Sequence, residues 1–307
     1  MRSSPHTRRG LGRPGITRAA EPVVKALIYV SGWMAILVLA AIAVFLFTSG
    51  LRAMREVGLA HMLFGTSWYP TSEKPQFGFV PSIVGSAWVT LVALGLSFPI
   101  GVAAAVYISE FAGPRVKEVT KSIIEFMAAI PSVVLGLIGL ALVVPWVKST
   151  FGVDTGLTAL AAGLVVGVMS LPTVISISED AMHAVPEALR QGSLALGNTR
   201  WQTAYKVVVP AASSGIFAAV MLGLGRAIGE TMVVLMLAGN SGIIAKSPLE
   251  SVRTLPGTIA NELGEVVRGG THYSALFVMG LVLFAVTFAI NLAADFVLER
   301  QRRRWRR

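Results

Sequence analysis

Six long apolar stretches alternate with polar segments of unequal length along the chain. They fall at about 24–47, 83–108, 123–146, 157–177, 211–238 and 274–298. At about 1.5 Å of rise per residue, each is long enough to cross a hydrocarbon core about 30 Å thick as an α-helix. None alternates at period two, which argues against a transmembrane β-barrel. The pattern predicts an all-α, polytopic integral membrane protein with six transmembrane helices. The first apolar run, 26–47, is longer than the roughly 7–15 residues of a signal-peptide core, so it reads as a retained anchor.

The polar positions add an orientation. With the N-terminus in the cytoplasm, the inner segments hold 18 lysines and arginines and the outer segments hold 7. That bias places both termini in the cytoplasm. The expected organisation is a basic tail at 1–23, a permease domain at 24–298 and a second basic tail at 299–307. The net charge of +10 is thus a topology signal, and the closing "RRRWRR" is a stop-transfer anchor with Trp305 at the interface, not a nucleic-acid patch. Absence of cysteine rules out disulfides and thiolate metal sites. His6, His61, His183 and His272 lack metal-ligand spacing, so no metal is expected.

Three loops exceed a simple connection. The first, 50–82, carries Phe64, Trp68, Tyr69, Phe77 and Phe79. These fit either an interfacial aromatic belt or a docking surface for an external partner. The loop at 239–273 has three basic and three acidic residues and reads as a solvated external segment. The third, 179–210, has the signals of helix, glycine turn and helix. Pro186 suits a first turn and Gly197 a position just past a helix end. Val185, Leu189, Ser193 and Leu196 recur at helical spacing. Thr199 and Gln202 form the T-x-x-Q of a capping box.

Within that loop, "QGSLALGNTRWQTAYKVVVP" resembles the EAA loop of bacterial ABC-importer permeases. The family spacing of Glu-Ala-Ala, Gly and Ile-x-Leu-Pro falls on Gln191, Gly192, Ser193, Gly197, Val207, Val209 and Pro210. The leading carboxylate has become Gln191, and Glu187 lies one turn upstream as a substitute. The stretches "FVPSIVGSAWVT", "EFMAAIPSVVLGLIGL", "LGLGRAIGETMVVLMLAGN" and "GGTHYSALFVMGLVLF" are similar to phosphate-importer permeases of the PstC type.

The resemblance implies a type I importer permease in the bacterial plasma membrane. It implies a PstA-type second permease, two PstB-type ATPase subunits, a PstS-type external phosphate-binding protein and membrane lipids as partners. Glu187, Gln191, Gly192, Ser193 and Gly197 would then meet the ATPase. The chain has no G-x-x-x-x-G-K-[ST] loop, so ATP and Mg belong to the partner and this subunit has no catalytic residues. An importer for molybdate or sulfate, or a non-transporting anchor or sensor subunit, are the alternative readings.

Arg226 and Glu230 lie inside the fifth apolar stretch. Insertion scales charge roughly 2.5–3.5 kcal/mol for each Arg or Asp at a helix centre, so such groups face protein or a watered path. In a continuous helix the two would share a face. Gly223, Gly225 and Gly229 beside them would let a neighbouring helix approach closely. Two readings stand: a structural ion pair that fixes packing, or an anion path in which Arg226 offers its planar fork to phosphate oxygens and Glu230 neutralises it when the path is empty. Pro131 and Pro172 are expected to kink their spans.

Overall fold

The computed structural model describes the backbone of residues 16–305 and the side chains of 22–299. The basic residues at 1–15 and 306–307, and the side chain of Trp305, lie outside these. The chain has two compact units, Met1–Thr48 and Ser49–Arg307. The first is supplied by α1 (Ile16–Ala53), whose end enters the second unit. In the first unit Leu27, Ile28, Trp33 and Leu37 are all exposed, as expected of a helix made for an apolar solvent rather than for water.

The second unit starts with a π-helical turn at Met54–Gly58, α2 (Leu59–Phe64) and a short hairpin. The hairpin pairs β1 (Trp68–Tyr69) with β2 (Gln76–Phe77), Trp68 facing Phe77 and Tyr69 facing Gln76. Trp68, Phe77 and Phe79 are buried, packed with Met62, Leu255, Leu276 and Met279. This corrects the surface readings of the 50–82 loop for these three aromatics, which form a core of their own. Phe64 and Tyr69 remain exposed.

α3 (Val80–Val106) follows, extended by a π turn at Tyr107–Phe111. α4 (Pro114–Ala129), α5 (Ser132–Ile138) and α6 (Val144–Phe151) replace the single helix expected at 123–146. The chain breaks at Ile130, whose ψ is 125°. Pro131 has no N–H and excludes the helical conformation from the residue before it, so a break takes the place of the expected kink. α7 (Ala159–His183) runs unbroken through Pro172 and is capped by Thr158, whose Oγ1 accepts from the Ala161 N–H at 3.2 Å.

α8 (Glu187–Ala195), α9 (Arg200–Thr203) and α10 (Val209–Ala211) lead into α11 (Ser213–Gly229). α12 (Met232–Leu237), α13 (Leu255–Glu262) and α14 (Thr271–Trp305) complete the chain. Among the described residues, five helical segments are long and apolar enough to span a membrane: Pro22–Phe64, Val80–Phe111, Ser132–Phe151, Ala159–His183 and Thr271–Glu299. A sixth is counted if Arg200–Ala211 and Ser213–Gly229, bent by 70°, form one span. The fold is therefore all-α and multi-pass.

α7 is the core helix, packed against α3 and α11. The approach is close enough that a Cβ on Gly163 would lie 2.6 Å from the Val92 side chain and 2.9 Å from the Val89 carbonyl. Lipid gives no hydrophobic drive between helices, so close packing over small residues is what holds them.

Candidate functional site

The loop after α7 folds as a helix–turn–helix. Gly197 adopts φ +86°, the left-handed region open to glycine. Its N–H donates to the Leu194 carbonyl at 3.0 Å, and that of Asn198 donates to Ser193 at 3.3 Å, so the last carbonyls of α8 are satisfied. The capping box is complete: the Thr199 Oγ1 accepts from the Gln202 N–H at 3.2 Å, and the Gln202 Oε1 accepts from the Thr199 N–H at 2.8 Å. Ser193, the second alanine position of the EAA pattern, is buried with its hydroxyl 2.9 Å from Thr203 Oγ1, which ties the two arms together. The expected apolar face is not continuous. Val185 is buried, but Leu189 and Leu196 are exposed, Leu196 by 86%. Glu187, Gln191 and Gly192 are exposed too. With Leu194, Trp201 and Tyr205, all exposed, this face presents more apolar surface than a solvated hairpin needs.

The anchor of this loop is a residue that spacing did not single out. Arg190 Nη2 donates to Glu110 Oε1 at 3.1 Å and its Nε to Oε2 at 3.3 Å. Its remaining donors reach the carbonyls of Val185 at 2.6 Å and Met182 at 2.7 Å, closing the end of α7. Glu187 stands 3.6 Å from the same guanidinium. One side chain thus fastens α8 to the end of α3 and to α7. Nearby, the Glu179 carboxylate, 3% exposed, receives Lys117 at 2.7 Å and Lys121 at 2.8 Å from α4. The hydrogen bond to Glu179 holds the Lys121 ammonium above the usual lysine range. The available sequence signals were modest: an i, i+4 lysine pair on α4 and an acidic residue at the end of an apolar span.

The fifth apolar stretch departs from the expected continuous helix. α11 stops at Gly229, and Glu230 is extended, with ψ 126°. Three glycines in the last turns weaken this helix, at about 1 kcal/mol each relative to alanine. Glu230 therefore does not share a helix face with Arg226, and among the described residues the two form no ion pair. Glu230 Oε1 instead accepts from the Val233 N–H at 3.4 Å, at the start of α12. Arg226 is exposed and its Nη1 donates to Thr173 Oγ1 at 3.2 Å. Of the three glycines, only Gly223 is closely approached, by Val174 at 2.9 Å from its Cβ position. A Cβ on Gly225 or Gly229 would meet nothing within 4 Å among the described residues, so at these two positions α11 is not closely approached by them.

A third polar centre joins the 50–82 and 239–273 segments. Glu262 accepts from Trp68 Nε1 at 3.0 and 3.1 Å, stands 2.8 Å from His272 Nε2, and is paired with Arg253. The loop at 239–273 is therefore built into the fold rather than merely solvated. These groups line a cleft of about 680 Å³. Among the described residues no cluster of histidines and carboxylates suits a metal ion.

Residues 97–307 match the family described as binding-protein-dependent transport system inner membrane component. The chain belongs to this permease family. It is 40% identical over 264 residues to the probable ABC transporter permease protein YqgH of Bacillus subtilis, covering 85% of each chain. It is 31% identical over 286 residues to the phosphate transport system permease protein PstC of Mesorhizobium japonicum, covering 87% of this chain and 86% of that one. Among solved structures, a bacterial ABC transporter involved in import of the acidic polysaccharide alginate matches with a TM-score of 0.61 at 17% identity, over 92% of this chain and 99% of that one. The MetNI methionine ABC transporter matches with a TM-score of 0.58 at 21% identity, over 73% and 95%. These likenesses establish the fold, that of a type I importer permease.

Proposed function

We propose that this chain is one of the two permease subunits of an ATP-driven importer that moves inorganic phosphate into the cell. The observation that carries the reading is Arg226, an exposed guanidinium with no carboxylate partner among the described residues, on α11 of a permease whose relatives include phosphate permeases. A planar fork that stays protonated suits a tetrahedral oxyanion. The side of α11 left open at Gly225 and Gly229 faces a path or the second permease subunit.

In this reading both termini lie in the cytoplasm of a bacterial plasma membrane. The α8–α9 hairpin docks on a PstB-type ATPase, which alone uses ATP and Mg, through Leu189, Leu194, Leu196 and Trp201. Glu187, Gln191, Gly192, Ser193 and Gly197 shape that hairpin, and the Arg190 clamp carries its movement to α3 and α7. A PstA-type permease and a PstS-type binding protein complete the importer. Glu230, freed from Arg226 by the helix break, sits at the start of α12 as a second polar group on the path.

The test is uptake of labelled phosphate into proteoliposomes holding the complete importer, with sulfate and molybdate as competitors. Uptake that needs ATP and is blocked only by unlabelled phosphate supports the reading. Uptake of sulfate or molybdate in preference would assign another oxyanion, and no uptake at all would leave an anchor or sensor subunit.

A further inference from the structure

The three basic side chains of the 239–273 loop have different surroundings. Arg253 is neutralised by Glu262. Lys246 precedes a turn in which its own N–H donates to the Glu250 carboxylate at 3.0 Å. Arg268 is exposed, and among the described residues it makes no hydrogen bond or ion pair. It lines a cavity of about 610 Å³ that no carboxylate lines.

The shape of that cavity gives the charge a use. Its walls are apolar, formed by Ile259 of α13, Leu263 just past the end of that helix and Leu283 of α14. Tyr273 and Thr231 add hydroxyls. Tyr273 and Leu283 are ten residues apart on α14, which is about 15 Å along a helix. The cavity therefore extends from the loop down beside the apolar part of α14. At Thr231 it reaches the break that ends α11, one residue from Glu230 and five from Arg226. A positive charge above the low-dielectric walls of such an open groove concentrates counter-ions there.

We infer that this cavity is the external entry site of the anion path, with Arg268 as the group that receives an inorganic oxyanion before it reaches Arg226. The inference rests on the proposed transport reading and topology. It deepens that reading by assigning a binding group that neither the EAA loop nor the fifth apolar stretch contains. Arg268 supplies the positive charge and the fork, and the Thr231 and Tyr273 hydroxyls supply hydrogen bonds to the same oxygens.

The experiment compares wild type, Arg268→Gln and Arg268→Lys in the fully assembled importer in proteoliposomes, with phosphate moved per ATP hydrolysed as the readout. One charged hydrogen bond lost from the site predicts a fall of about tenfold for Arg268→Gln. Arg268→Lys, which keeps the charge, is expected to retain most of the ratio. A wild-type ratio in Arg268→Gln overturns the inference. An equal loss in both variants, accompanied by a loss of assembled complex, also overturns it, because that is the signature of a loop-folding role. The wild-type importer tests the transport reading separately. If it moves another oxyanion in place of phosphate, the phosphate assignment fails, and the Arg268 comparison is read on that anion.

Discussion

Arg190 and Glu110 are 80 residues apart in the chain and meet through two hydrogen bonds, at 3.1 and 3.3 Å. The same guanidinium closes the end of α7 through the carbonyls of Met182 and Val185. The hairpin that faces the ATPase in the proposed importer is thereby attached to two membrane helices at one point. Lysine cannot reproduce this, because it presents a point charge where arginine presents a fork.

Breaking the pair should uncouple the subunit. Both side chains are largely buried, at 15% and 10% exposure, and leaving one partner of a buried pair alone costs on the order of 3 kcal/mol. Arg190→Lys and Glu110→Gln are each expected to lower uptake per ATP hydrolysed. Equal transport in all three proteins would remove the clamp from the coupling path.

The attachment of α4 to α7 should be lost in alkali. Lys121 has its folded pKa raised by the hydrogen bond to Glu179. Its contribution is therefore complete below the unfolded lysine value, about 10.4, and disappears as pH rises through the higher folded value. In thermal melts of the protein in detergent, this contribution is expected to be lost only above about pH 10. In Lys121→Met that alkaline decline should be smaller, and an identical decline in both proteins would contradict the assignment.

Close packing at Gly163 should tolerate no larger side chain. Gly163→Val puts atoms where Val92 and the Val89 carbonyl already lie, and overpacking of this kind costs typically 1–3 kcal/mol. A lower melting temperature in detergent is the expected result. An unchanged one would mean that α3 and α7 separate more easily than their packing indicates.

What the sequence revealed depended on the range of the interaction. Gly197 and the Thr199–Gln202 box were legible because a positive φ and a cap are decided within four residues. Pro131 marked an interruption for the same local reason, although its depth, a break rather than a kink, was not evident. The end of α11 at Gly229 was hidden by the apolar run across it. The long-range pairing of Glu110 with Arg190 has no local pattern, and the i, i+4 spacing of Lys117 and Lys121 does not by itself point to Glu179 as their partner. Trp68, Phe77 and Phe79 were misread as surface because an aromatic loop in a membrane protein has the same composition whether it lies at the interface or folds on itself.

In the proposed importer Arg226 handles the transported anion. The most direct test is phosphate uptake by the complete importer in proteoliposomes, comparing wild type with Arg226→Gln at matched membrane levels. Loss of a charged fork from the path is expected to lower uptake about tenfold or more, with competition still specific for phosphate in the wild type. Normal uptake in the Arg226→Gln importer would contradict the account and leave Arg226 with only its hydrogen bond to Thr173.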